Sequence, residues 1–317
     1  MVVTVLGPVA PAAIGPTDAH DHLFLRTPVL AGQEIDELER SIEEAELAAA
    51  SGLSTIVDMT PIGCGRRPSA LRELATRAGL HVVAASGYHR DAHYPADHWV
   101  RTATTKRLAD RITRDLIDGI DSDDWSGPDA VPDLARAGVV KAGASYHHIS
   151  AGEDRRLEAG AVAVRRTGAP ILIHCEIGTA AHQILDRLEA LSIPLDRVIL
   201  SHLDRNPDPQ LHAEIAARGP FLEYDTVGRI KYRPDSQLLT LIESMVTAGH
   251  LGQLLVGMDL GRRDYFRAYG GGPGIAYLMA VFVPRLERLI GQSGVERILV
   301  ENPRRAFVWR RALEAPE

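Results

Sequence analysis

Eight short apolar runs, separated by amphipathic segments, constrain this 317-residue chain more than any other feature. In order they read IGPTDAH (14–20), LSTIVDMT (53–60), HVVAASGYH (81–89), GVVKAGAS (138–145), APILIHCE (169–176), RVILSHLD (197–204), GPFLEYDT (219–226) and QLLVGMDLG (253–261). Between them lie segments such as EIDELERSIEEAELAAASG and SALRELATRAG, whose apolar residues recur at helical spacing and which close on a glycine. Strands alternating with helices predict parallel βα units. Eight such units in roughly 250–300 residues is the count and size of a (β/α)8 TIM barrel, here expected as a single α/β domain over 1–317. A doubly wound open sheet is the alternative, but it wants a Gly-rich fingerprint after an early strand, and none is there. Residues 1–15, MVVTVLGPVAPAAIG, lack a basic start and are broken by Gly and Pro. They predict a strand or hairpin rather than a signal peptide.

Bulk properties exclude several classes of function. The net charge of −7 offers no overall attraction to nucleic acid or anionic membrane, and no run approaches the length of a membrane span. Two cysteines, Cys64 and Cys175, make no CxxC pair and no disulfide framework, which fits a reducing cytoplasm.

Chemically capable residues gather at the ends of the runs. His20 and His22 follow the first, Lys141 lies in the fourth, His174 ends the fifth, His202 the sixth and Asp259 the eighth. In a barrel these ends converge on one face, where the loops build the active site. The two-residue step of H-x-H sends both imidazoles to one side of a strand, and paired imidazoles suit a cation such as zinc. His174 and His202 each follow at least three apolar residues, which surface histidines seldom do. One such residue reads as a hydrogen-bonded core histidine; two, beside H-x-H, favour a metal site. Asp259 needs a cation or several donors if it is buried. Cys175, by period-two alternation, faces away from the side His174 uses.

Lys141 admits several readings: a snorkelling or ion-paired lysine, a Schiff-base nucleophile, or an amine modified to serve as a ligand. Surrounding cations suppress its own charge. A neutral amine can take up carbon dioxide and become a carbamate able to bridge two metals. Six such ligands exceed what one four-coordinate metal uses and suit two.

This ligand order resembles the amidohydrolase superfamily, and more narrowly its phosphotriesterase and lactonase family. TDAHDHL resembles that family's opening, GVVKAGASYHHISAGE its lysine strand, RTGAPILIHCEIGT its fifth strand and ENPRRAF its closing segment. The resemblance covers nearly the whole chain. It implies one metal on His20, His22 and Asp259, another on His174 and His202, with carbamylated Lys141 and a hydroxide bridging them. Zinc is the expected cation, with manganese or cobalt as alternatives. The bridging hydroxide would attack the substrate, and Asp259 would act catalytically, taking the hydroxide's proton and passing it to the leaving group.

The machinery gives a reaction type, and the loops bear on the substrate. DTVGRIKYRPD after the seventh run carries Arg229, Lys231 and Arg233, and GRRDYFRAYGGGPG after the eighth carries Arg262, Arg263 and Tyr265. These are positions where (β/α)8 barrels commonly seat a phosphate. Alternatively, the basic residues pair with Asp235 and Asp264 and only solvate the loops. One subgroup of the family opens phosphorylated sugar lactones, and similarity to it puts the phosphate-holding roles on Lys231, Arg262 and Tyr265. In SGYHRD either Tyr88 or His89 stands where a carbonyl-contacting residue is expected, and His89 is the candidate substrate residue. The expected activity is therefore a binuclear-metal lactonase for a small, anionic, phosphorylated sugar lactone, with a homodimer compatible. The alternatives are the same hydrolase on lipophilic lactones or organophosphate triesters, a sugar-phosphate binding protein without catalysis, and Schiff-base chemistry at Lys141.

Overall fold

The computed structural model describes residues 1–313 apart from positions 125, 126, 128 and 130. All eight apolar runs become strands. Ahead of them, β1 (Val2–Thr4) and β2 (Gly7–Val9) pair antiparallel as a hairpin. Then come β3 (Thr17–Asp21), β4 (Thr55–Asp58), β5 (His81–Gly87), β6 (Ala137–Ala144), β7 (Ile171–Cys175), β8 (Val198–Ser201), β9 (Phe221–Tyr224) and β10 (Leu254–Val256). They form one parallel sheet in sequence order from β3 to β10. Its ends meet where the amides of Met258 and Asp259 donate to the carbonyl of His20 at 3.1 and 2.8 Å. The result is a (β/α)8 barrel.

The helices are α1 (Leu38–Ala50), α2 (Pro68–Ala78), α3 (Trp99–Thr102), α4 (Thr105–Ile117), α5 (Ala151–Thr167), α6 (Ala181–Ala190), α7 (Pro209–Ala217), α8 (Asp235–Thr247), α9 (Val283–Glu296) and α10 (Asn302–Ala306). Their ends follow local chemistry. Helix α2 opens on Pro68 and stops at Gly79 in the left-handed conformation, while α5 carries a reciprocal capping box between Ser150 and Glu153. The helical pattern read from residue 34 begins only at Leu38. The reason is tertiary: Ile35 exchanges two backbone hydrogen bonds of 2.9 Å with Leu25 and is held extended.

Two layers of apolar side chains divide the strands by parity. One set of alternate residues, with Ile171, Val198, Leu222 and Leu254 among them, packs outward against the helices. The other set fills the barrel with Val57, Val83, Val139, Leu172, Ile199, Phe221 and Leu255. Burying each such side chain contributes about 1.5–3 kcal/mol, so this plug is a large share of what holds the barrel shut. Stepping two residues toward the C-terminal end leads from plug to polar mouth: Val139 to Lys141, Leu172 to His174, Phe221 to Glu223 and Asp225. One alternation thus builds both the core and the site. At the opposite end the hairpin closes the floor, with the Val5 amide donating to Val82 and the Trp309 indole donating to the carbonyl of Gly138 at 2.8 Å. No helix among the described residues is long and apolar enough to cross a membrane.

Candidate active site

Ten of the residues singled out from sequence line one cavity of about 250 Å³ at the C-terminal mouth: His20, His22, Lys141, His174, His202 and Asp259, with His89, Arg229, Lys231 and Arg262. The histidines are gripped from behind. His20 Nδ1 lies 2.8 Å from Glu223 Oε2, His22 Nδ1 2.9 Å from Thr60 Oγ1, His202 Nδ1 2.8 Å from Asp225 Oδ1, and His174 Nε2 2.7 Å from Glu176 Oε2. Thr60 spends its own proton on the carbonyl of Phe24 at 2.8 Å, so its oxygen accepts from His22. Each ring therefore carries its proton on the outer nitrogen and turns a lone pair inward.

Those inward lone pairs crowd together. His202 Nε2 and His174 Nδ1 stand 2.8 Å apart, and His22 Nε2 is 3.3 Å from the carboxylate Oδ1 of Asp259. Lys141 Nζ, 3.4 Å from His20 Nε2, can donate to that ring. Lone pairs that close repel unless a cation satisfies them, and carboxylate-backed histidines are the usual outer shell of a metal site. Imidazole nitrogen from His20 and His22 with oxygen from Asp259 forms one potential ligand group, its donor atoms within 4.8 Å of one another. The donor set fits a divalent cation.

Electrostatics agree with that geometry. Burial pushes His20 and His202 well below the usual histidine range and takes His174 down to about 4 against the pull of Glu176, so the rings are neutral. Burial also brings Lys141 down to about 8, opposed by Glu223, Asp259 and Asp225, leaving part of the amine uncharged near neutrality. Burial alone would raise the Asp259 carboxyl. Arg229 and Arg205 outweigh it and hold the group well below the usual range. Both guanidiniums donate to its Oδ2.

Tyr88 and His89 lie in different layers of the barrel. Tyr88 is buried in the helix layer, where its hydroxyl donates to the carbonyl of Leu108 at 3.1 Å. His89 turns inward, stacked on His93 with ring centroids 3.5 Å apart and 4.6 Å from the ring of His174. Gly87 sets this geometry: it sits at φ +124°, and a Cβ there would lie 2.1 Å from the carbonyl oxygen of Lys141. Only glycine lets β5 run this close beside the lysine.

The two basic loops meet over the mouth. Lys231 and Arg262 line it, while Tyr265 stands one step back with its ring 6.0 Å from Lys231 Nζ and 5.5 Å from Arg229 Cζ. Asp235 and Asp264 do not absorb these cations. Asp235 takes Gly228, Tyr277 and Arg285, and Asp264 takes Gln33. The cavity also has an apolar part, with Leu25, Val29 and Leu30.

Several site residues were outside the expected set. Glu223 and Asp225 carry the same two-residue step as His20 and His22, a signal present in the seventh run. Arg205 had none: it follows His202, whose left-handed backbone (φ 65°) breaks the strand alternation. Glu176 and His93 act on near neighbours, His174 two residues away and His89 four, but neither lies in a strand.

Residues 1–307 match the Phosphotriesterase family. A phospho-furanose lactonase of Mycoplasmopsis synoviae is 31% identical over 96% of this chain and 91% of its own. Among solved structures, an amidohydrolase from Mycoplasma synoviae superposes with a TM-score of 0.92 at 31% identity, over 99% of this chain and 94% of that one. A lactonase from Listeria monocytogenes superposes with a TM-score of 0.89 at 29% identity, over 98% and 99%.

Proposed function

The chain belongs to the phosphotriesterase family and is a metal-dependent hydrolase, and on that premise we propose that it opens a phosphorylated sugar lactone. One observation carries the reading: a single cavity joins inward-facing histidine lone pairs to Lys231 and Arg262, which make no ion pair among the described residues. His20, His22 and Asp259 would hold one divalent cation and His174 and His202 a second, with Lys141, as its carbamate, between them. Zinc suits a set this rich in imidazole, and manganese or cobalt are the alternatives. Bound there, such cations lower the pKa of water and polarise a carbonyl oxygen.

The chain's own residues do the rest. Asp259 is held ionised and can accept a proton, and the adjacent guanidiniums make it quick to release that proton to the leaving alcohol. Glu223, Asp225 and Thr60 keep three imidazoles in one tautomer, so their lone pairs are oriented before any cation arrives. Lys231 and Arg262 stand where a phosphate at the far end of the substrate would dock, with Tyr265 behind them. His89 faces the reacting end, stacked on His93.

The apolar wall of Leu25, Val29 and Leu30 favours a second reading, in which lipophilic lactones or organophosphate triesters are the substrates. A substrate panel separates the two. Matched lactones with and without phosphate, lipophilic lactones and a phosphotriester are assayed with metal-loaded enzyme. A phosphate group should raise kcat/KM by about 10- to 100-fold, the worth of a charge-assisted hydrogen bond. Preference for lipophilic lactones or the triester would establish the second reading instead.

A further inference from the structure

Arg205 and Arg229 are absent from the ligand set and from the phosphate rim, yet both guanidiniums lie inside the cavity. Each is only 8% exposed. Both donate to the same oxygen, Asp259 Oδ2, and Arg205 also comes within 3.7 Å of Asp225 Oδ1. Asp225 is already committed to the amide and ring of His202. Neither guanidinium makes another hydrogen bond among the described residues, and the Nε of each is buried without a partner. A buried guanidinium with idle donors is costly to keep, and its planar fork matches a carboxylate.

The pair is also held in place. Tyr232 lies 4.7 Å from the Cζ of Arg205 and 4.9 Å from that of Arg229, and Tyr265 covers Arg229 from its other loop at 5.5 Å. This is a built, aromatic-walled pair of cations against Asp259, with Lys231 Nζ 4.8 Å from the same Tyr232 ring. Asp259 would share its charge with a cation through its other oxygen, and Asp225 is shared with His202, so the two carboxylates only partly balance the two guanidiniums. A further anion entering the cavity restores the balance.

Resting on the lactonase reading, we propose that Arg205 and Arg229 form a carboxylate seat, separate from the phosphate rim, for the acid group that ring opening creates. In that reaction a water oxygen bonds to the acyl carbon and the acyl–oxygen bond of the ring breaks. One proton of the water caps the leaving alcohol and the other is released. The product therefore carries one more negative charge than the lactone, generated beside this pair. A ring-opened sugar acid phosphate then has an anion at each end, and the cavity has a cationic seat for each.

The test measures binding to the metal-loaded protein by titration calorimetry. Three probes are used: an aldonic acid phosphate, the alditol phosphate of equal length, which lacks the carboxylate, and the aldonic acid without phosphate. Arg205→Gln and Arg229→Gln should each weaken both acids by about 10-fold or more, the order expected for one charge-assisted hydrogen bond. Binding of the alditol phosphate should change by less than about threefold, well below that order. Arg262→Gln should do the reverse, weakening only the two phosphates. Metal content is measured for every variant, and Arg205→Lys or Arg229→Lys, which keep the charge without the fork, replace any glutamine variant that loses its cations. Equal weakening of all three probes, or undiminished binding of the acids, overturns the seat. If phosphate adds nothing in the wild-type protein while the acids still depend on Arg205 and Arg229, the phosphorylated-substrate reading fails and the seat stands.

Discussion

Asp225 holds His202 at two points: its Oδ2 accepts from the histidine amide at 3.0 Å and its Oδ1 lies 2.8 Å from the ring Nδ1. The grip fixes the tautomer and also retains a backbone at φ 65°, which costs a residue with a Cβ roughly 1–2 kcal/mol. Asp225→Asn keeps the shape but offers one acceptor where two are used. Metal affinity should fall about 10- to 100-fold, as for other losses behind a ligating histidine. Competition with a chromophoric chelator measures it, and an unchanged affinity would mean that His202 needs no such support.

Lys141→Ala should lose metal and hydrolysis together, because the carbamate oxygens leave with the side chain. Short-chain carboxylates added to the variant should restore part of both. Elemental analysis against protein concentration should give two cations per wild-type chain and fewer in the variant. Full activity with both cations retained would return Lys141 to an ordinary buried lysine.

Arg262→Ala should lower kcat/KM on a phosphorylated lactone by about 10- to 100-fold and leave the unphosphorylated lactone nearly unchanged. Lys231→Ala should behave alike, and Tyr265→Phe more mildly, since its ring stands behind Lys231 and Arg229 and contributes a neutral hydroxyl at most. Cation content should stay constant in all three. Equal losses on both substrates would show that these side chains hold the loops rather than the phosphate.

Gly87→Ala tests the close approach of β5 to the lysine strand. A methyl group cannot occupy a point 2.1 Å from the Lys141 carbonyl oxygen, so the strands must part there. The expected cost is about 2–4 kcal/mol of folding stability, read from urea denaturation, together with weaker cation binding. Unchanged stability would mean that β5 shifts without strain.

The strands were legible because both faces of a parallel barrel are buried, so each strand stands out as an apolar run ending in its functional residue. His174 and Lys141 were recognisable for the same reason: polarity inside such a run demands an explanation. Glu223 and Asp225 belonged to an equally plain run, but their meaning depends on His20 and His202 across the barrel, and no local pattern carries that. Arg205 lay beyond reach because the left-handed turn at His202 redirects the chain just where alternation would have assigned it a side. The late start of α1 has a similar origin, since the pairing of Ile35 with Leu25 overrides a good helical pattern.

The seam of the barrel sets an order of events during synthesis. His20 and Asp259 sit on either side of it, joined by a 2.8 Å hydrogen bond between residues 239 positions apart in the chain. A growing polypeptide displays both N-terminal histidines long before their carboxylate partner leaves the ribosome. Until then His20 and His22 can offer a cation only two nitrogens, a weak and unselective grip. The ligand group of His20, His22 and Asp259 is therefore complete only once the barrel has closed.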